Sequence, residues 1–364
     1  MPEAVVIGGG VMGLGAAREL RRRGFQVTLL ERAQPGRAAS WASAGIIGAT
    51  TRDEADPNHH LREVSRGLWP GFAATLKAES GVDPEYRETG CLFVARHDGE
   101  LAWVRQTAHA DNTPVLDYPE LRHLEPAIGP AVRGGLALPG GNVENRRLCK
   151  ALEIAAVEAG VDVRSGVEVR GVVSHGGRVA GVETGDGGLS ADTVIVAAGA
   201  WSGSLSGVDP RVPVRPQRGQ ILAVDHISVG LRHTVLTETD PYLVPRADGR
   251  LIVGATREEA GWDASLTAGG VGWLLTSAIE IVPALRECPI VELWTGFRPM
   301  SADGVPAIGR GALDGLYFLT GHGPSGIAPL PASIALLGAL VSGEHPPVDP
   351  APFSPLRFAA KTVA

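Results

Sequence analysis

Three closely spaced glycines, Gly8, Gly10 and Gly13, stand where an apolar run, Ala4, Val5, Val6 and Ile7, gives way to Val11, Met12 and a helical pattern through Ala16, Ala17 and Leu20. In that setting GxGxxG has a defined chemistry. The first glycine permits a tight turn, the second lets the backbone approach a pyrophosphate, and the third lets helix and strand pack closely. Amides at the helix start then face phosphate oxygens, and the helix dipole favours their charge. A second strand over 26–30 delivers Glu31, whose carboxylate can accept hydrogen bonds from ribose hydroxyls and would repel a 2′-phosphate. The pattern predicts a bound dinucleotide and leaves NAD and FAD both open. Far along the chain, Arg298 in WTGFRP offers a planar guanidinium that could grip a carboxylate through two parallel hydrogen bonds. A structural pairing with Asp303 is an equal alternative on the residues alone.

Elements must position these groups. After Glu31, residues 36–50 read GRAASWASAGIIGAT, a loop of small side chains suited to lie against a flat ring or an extended phosphate chain, or to form an ordinary flexible loop. Residues 144–160 read as helix, 161–172 as strands, and 192–199 as a buried strand ending in a glycine turn. The nucleotide domain is therefore expected to be discontinuous, built from 1–79, 143–212 and 301–364. A second, substrate-binding domain is expected from 80–142 and 213–300.

Composition narrows the function classes. With 364 residues and 44% hydrophobic side chains, the chain can build two real cores. A net charge of −7 with no basic stripe beyond Arg21, Arg22 and Arg23 argues against a nucleic-acid partner, and that run reads as a helix end. Cys91, Cys149 and Cys288 lie apart, without a His cluster, so neither disulfides nor a metal site is signalled, and they read as small buried hydrophobes. No leader is evident at the amino end, so a cytoplasmic protein is expected. The uncharged stretch 326–343 is shorter than the roughly 20 apolar residues of a spanning helix and holds Pro329 and Pro331, so it reads as a buried helix and no membrane partner is expected.

Taken in order, GGGVMG with its Glu, ASWASAGII, ADTVIVAAGAWS, PYLVPRADGRLIVGAT, WTGFRPMSADGVPAIGR and GHGPSGI resemble the D-amino acid oxidase superfamily of flavoproteins, nearest to the bacterial glycine oxidases of thiamine biosynthesis. The resemblance spans nearly the whole chain. It implies an α/β fold with a Rossmann-like FAD-binding domain of the glutathione-reductase type and an interleaved antiparallel-sheet, α+β substrate domain. It also implies non-covalent FAD in an extended pose. Gly8, Gly10, Val11, Met12 and Gly13 would hold the pyrophosphate, Glu31 and Arg32 the adenosine ribose side, and Val169 the adenine through its backbone. Ser40, Ser43, Ala44, Gly45 and Ile46 would meet the flavin side, with Ala198, Gly199 and Trp201 close to the cofactor. The turn Gly321, His322, Gly323, Pro324, Ser325, Gly326 and Ile327 would face the isoalloxazine ring, opening a helix from Gly326 whose positive end stabilises charge near N1 and C2=O.

The resemblance further implies that Arg298, beside the cofactor, binds the carboxylate of a small amino acid, assisted by the Tyr242 hydroxyl. Hydride would pass from Cα of the neutral amine to flavin N5, giving an imine, then a 2-oxo acid and ammonia, while molecular oxygen becomes hydrogen peroxide. No side chain is required as a base, and His322 reads equally as a residue satisfying a tight turn. Alternatives within the superfamily are a D-amino acid dehydrogenase and a sarcosine or N-methyl amino acid oxidase; outside it stands a non-catalytic flavin-binding protein. Sarcosine-type enzymes use a cysteine tether near the carboxyl end and a lysine near the flavin. Here the lysines are Lys77, Lys150 and Lys361, and Cys288 precedes the arginine motif. GPS at 323–325 replaces bulkier polar residues, and a homo-oligomer is expected.

Overall fold

The strands expected at 4–7, 26–30 and 192–199, and the first of those expected over 161–172, fall in one sheet of the computed structural model, which describes residues 1–48, 55–239 and 241–359. Residues 49 and 50 of the small-residue loop, and Lys361, lie outside them. Glu3–Ile7 pairs in parallel with Gln26–Glu31 and Thr193–Val196; Asp162–Ser165 and Leu316–Thr320 extend the two sides. Ala307–Arg310 closes one edge in antiparallel sense. Alternation explains why the first strand has no polar face. Ala4 and Val6 enter one core with helices Val11–Arg22, Asn145–Glu158 and Leu330–Ser342, whereas Val5 and Ile7 enter another beneath the antiparallel strands Val169–His175, Arg178–Thr184 and Gly187–Ser190. Fully burying a side chain such as Leu14 or Leu20 contributes about 2 kcal/mol, which ties the first helix to the sheet.

The second sheet has eight strands, in the order Ile290–Ser301, Val214–Asp225, Arg250–Gly254, Tyr242–Pro245, Thr234–Leu236, Cys91–Ala95, Gly134–Leu138 and Leu116–Asp117. It is antiparallel, as expected, except where Thr234–Leu236 runs parallel to Cys91–Ala95. Leu222, Val224, Leu251 and Val253 pack on helix Ala268–Ile281. The alternate residues Ile221, Ala223, Ile252 and Ala255 face Ala42 and Ala44 of the small-residue loop. That loop is more regular than its composition suggested, with a short helix Ala39–Ala42 and a strand Ile46–Ile47 paired to Gly141–Asn142.

The basic run lies at a helix end as read, and it also clamps. Arg21 donates to the carbonyls of Phe25 (2.7 Å) and Ala159 (3.1 Å), and Arg23 pairs with Glu19 (2.8 Å) and Glu344 (2.7 Å). Cys91 and Cys149 are buried and Cys288 is partly exposed, and none of the three is joined in a disulfide. Among the described residues no helix is long and apolar enough to cross a membrane.

Candidate active site

Gly8 turns the chain at φ +104°, and a Cβ on Gly13 would stand 1.9 Å from the Gly8 carbonyl oxygen, so strand and helix meet as the glycine spacing requires. Helix Val11–Arg22 has no side-chain cap and no acid in its first turn. Ser40 Oγ accepts from the Val11 amide at 3.1 Å, while the Met12 and Gly13 amides find no acceptor among the described residues. Uncapped donors at a helix start fit a diphosphate. Glu31 accepts from the Gly9 amide (2.7 Å) and the Ala33 amide (2.9 Å), fixing the turn while two carboxylate lone pairs remain for ribose hydroxyls. Amides of Gly166 and Val167 donate to the Ala33 and Glu31 carbonyls, which seats Val169 beside this strand end.

Arg32 stacks over Trp201 (4.5 Å to the ring centroid), Trp201 stacks on Trp262 (4.6 Å), and Trp262 meets Phe297 edge-on (5.4 Å). This file spans the two sheets and ends next to Arg298.

A cavity of about 470 Å³ lies between the sheets. Gly10, Val11, Met12, Ser40, Ser43, Ala44, Gly45, Ile46 and Gly199 line it, as do residues 321–327, Tyr242 and Arg298. Of the other expected residues, Gly8, Gly13, Glu31, Arg32, Val169, Ala198 and Trp201 lie outside that lining, around the glycine turn and the strand ends.

Arg298 projects from Ile290–Ser301 across the neighbouring strand, and its Nη1 donates to the Thr256 carbonyl at 2.9 Å. No carboxylate pairs with it among the described residues. The nearby acids are taken: Glu258 and Asp263 by Arg218, and Asp303 by Arg357 (2.7 Å) and Ser301 (2.8 Å). The alternative pairing of Arg298 with Asp303 is thereby excluded. Tyr242 lies over Gly254, where a Cβ would come within 2.6 Å of the phenol oxygen, so its hydroxyl and Arg298 converge on the same stretch of strand.

His322 is buried, with Nε2 3.2 Å from Ser333 Oγ, and burial pushes its pKa down to about 3. It is a neutral imidazole at working pH and carries no proton for the reaction. The expected helix from Gly326 is corrected: a tight 3-10 turn occupies Gly323–Ser325 and the helix begins at Leu330. Pro324 and Pro329 lack the amide that an earlier helical turn would use. Residues 321–328 of the turn, rather than the helix from Leu330, line the cavity.

Several lining residues escaped the sequence reading. Phe93 and Trp103, ring centroids 5.6 Å apart, give the cavity an apolar end, and Arg62, Arg257 and Glu238 also reach it. Behind the loop stands Arg246, only four positions after Tyr242 and buried, with Nη1 and Nη2 donating to Asn142, Val143, Ala44 and Asn145. An arginine ending an apolar strand was its only sequence signal.

A glycine turn opening an uncapped helix, a donor-lined cavity between two sheets and an unpaired arginine on its far wall define a dinucleotide-dependent oxidoreductase. The model of the FAD dependent oxidoreductase family matches residues 3–340, and the chain belongs to that family. It is 36% identical to a glycine oxidase of Pseudomonas aeruginosa, over 96% of this chain and 98% of that one. It is 35% identical to a bifunctional protein ThiO/ThiG of a Synechocystis species, covering 99% of this chain and 54% of the relative. The crystal structure of glycine oxidase from Geobacillus kaustophilus superimposes with a TM-score of 0.91 at 30% identity, over 100% of both chains. The cofactor is FAD.

Proposed function

We propose that this chain oxidises glycine, or an amino acid little larger, at Cα, with Arg298 as the carboxylate anchor. The observation that carries the reading is a guanidinium on the cavity wall with no carboxylate partner among the described residues. A substrate carboxylate supplies that partner, and two parallel hydrogen bonds fix its plane. The Tyr242 hydroxyl lies at the same stretch and restrains the second degree of freedom. With the carboxylate end fixed, Cα faces the opposite wall, where residues 44–46 and 321–327 would hold the ring. When bound, FAD would supply the two-electron acceptor at that wall, reoxidised by oxygen. The amine must reach the ring in its neutral form, and burial makes His322 too weak a base to take that proton. Orientation, rather than acid–base catalysis, is what the protein contributes.

Likeness to the glycine oxidases and to the fused ThiO/ThiG protein supports glycine as substrate and a place in thiamine biosynthesis. The test is anaerobic mixing of the holoenzyme with glycine, sarcosine and both alanine enantiomers while following flavin absorbance. Glycine should bleach the flavin fastest, and peroxide should appear on admitting air. A yellow protein that none of these amines bleaches would end the proposal.

A further inference from the structure

The loop 40–46 has an unusual polarity. The Ser40 and Trp41 carbonyls accept from Asn145 Nδ2 (3.0 and 2.7 Å), the Ala42 carbonyl from Trp294 Nε1 (3.0 Å), the Ala44 carbonyl from Arg246 Nη2 (2.9 Å) and the Gly45 carbonyl from the Val143 amide (2.9 Å). All of these oxygens are turned into protein. The amides of Ser43, Ala44 and Gly45 have no acceptor among the described residues, and these residues line the cavity. The donor side of the backbone is left for whatever the cavity holds.

Behind that loop, Arg246 is 5% exposed, and its four acceptors are all neutral: Asn142 Oδ1 (3.1 Å), the Val143 carbonyl (2.8 Å), the Ala44 carbonyl and Asn145 Oδ1 (2.9 Å). The nearby carboxylates are engaged elsewhere, Glu144 with the Arg147 amide (2.7 Å) and Arg250 (3.4 Å), and Asp248 with Arg250 (2.7 Å). Glu144 and Asp248 act on this charge only through space, and a buried cation with no carboxylate hydrogen-bonded to it is costly; a purely structural brace would be cheaper with a direct carboxylate or an apolar side chain.

We propose that Arg246 is a positioning residue for the flavin, a desolvated cation that holds the Ala44 carbonyl and the Asn145 side chain away from the cavity and gives that wall positive potential where negative charge collects on reduction. Burial depresses its pKa only to about 10, so the charge persists at neutral pH. Fixed charges and dipoles in a dry site act without reorganisation. The inference rests on the flavin of the family and not on the identity of the amine.

The midpoint potential of FAD in the purified holoenzyme, measured against a reference dye under chemical reduction, tests it without any substrate. Arg246→Met should lower the preference for reduced over oxidised flavin at least tenfold, equivalent to about 30 mV for a two-electron couple. Arg246→Lys keeps the charge but cannot fork to four acceptors; it should hold the potential within threefold while binding FAD more weakly. Asn142→Asp covers the case in which the Met variant does not fold. Its carboxylate would face Nη1 and neutralise the guanidinium, and the Thr234 hydroxyl, now 3.2 Å from Asn142 Nδ2, can reverse to donate. This variant should show the same loss as Met with stability unchanged or raised. A brace alone predicts loss of thermal stability and FAD affinity in the Met variant and an unmoved potential in Asn142→Asp. An unmoved potential in Asn142→Asp, or a tenfold drop in the Lys variant, overturns the inference; an Asn142→Asp drop with a retained Lys value supports it.

Discussion

Adding one methyl group next to Arg298 should disable the carboxylate anchor without touching the cofactor. Gly219 sits beside the guanidinium on the neighbouring strand. A Cβ there would stand 2.8 Å from Nη2, 2.9 Å from Nη1 and 3.0 Å from Cζ, whereas ordinary contacts begin at 3.4 Å. In Gly219→Ala the guanidinium must therefore retreat by several tenths of an ångström, or the strand must bow. Retreat stretches the bond to the Thr256 carbonyl, now 2.9 Å, and tilts the plane that a carboxylate would meet. Gly219 has no positive φ, so alanine introduces contact but no backbone strain. A misplacement approaching 1 Å costs on the order of 100-fold in rate, so a shift of this size should lower kcat/KM for glycine roughly 10- to 100-fold, about 1.4–2.7 kcal/mol. Most of that loss should fall on KM, because the anchor acts in the ground state as well. Steady-state peroxide formation gives kcat and KM, FAD fluorescence on apoprotein titration gives cofactor affinity, and thermal melting checks the fold. Wild-type KM in a folded, flavin-bound Gly219→Ala protein would show that Arg298 is not the anchor. A loss of flavin instead would show that the two strands support the cofactor rather than the substrate.

Three other outcomes follow from the geometry. His322 titrates at about 3 when folded against 6.5 when exposed, so the unfolded chain binds more protons between those values and stability falls as pH drops from 6.5 toward 3. Urea unfolding at a series of pH values should show His322→Gln losing part of that slope, which is at most about 1.4 kcal/mol per pH unit; equal slopes would refute the assignment. Trp201→Ala removes the platform under Arg32 and should weaken FAD binding several-fold, in line with about 0.5–1 kcal/mol for a partly exposed cation–π contact; unchanged affinity would exclude the aromatic file from the cofactor wall. In the native protein a thiol reagent should modify Cys288 alone, because Cys91 and Cys149 are buried and burial pushes the Cys149 thiol up to about 12; rapid reaction at a second thiol, read by mass spectrometry, would contradict the packing.

The nucleotide-binding end was legible because its information is local. Strand, turn, helix and acid lie within 31 residues, and Gly13 answers a contact with Gly8 inside that unit, although Gly8 and Gly10 also make room for Ala197 and Ser40 from elsewhere in the chain. Arg298 was legible as a residue type, but its freedom from Asp303 was not, since that depends on Arg357 reaching across the fold. Arg246 and Trp262 were invisible for the same reason: Arg246 meets a carbonyl 202 positions away, and Trp262 matters only through its place between Trp201 and Phe297. The helix start was set too early because apolar composition outweighed the prolines that break its first turn. Small-residue composition likewise hid the short helix and strand of the loop, whose order comes from distant donors rather than from propensity.

The central parallel sheet has a temporal consequence. Its strand Thr193–Val196 is flanked on one side by the amino-terminal strand and on the other by Leu316–Thr320, and the helix Leu330–Ser342 covers the first helix. During synthesis the glycine turn and first helix therefore appear long before the strand Leu316–Thr320 and the turn 321–327 that line the cavity. Chains truncated before 316 should leave cognate flavin in solution.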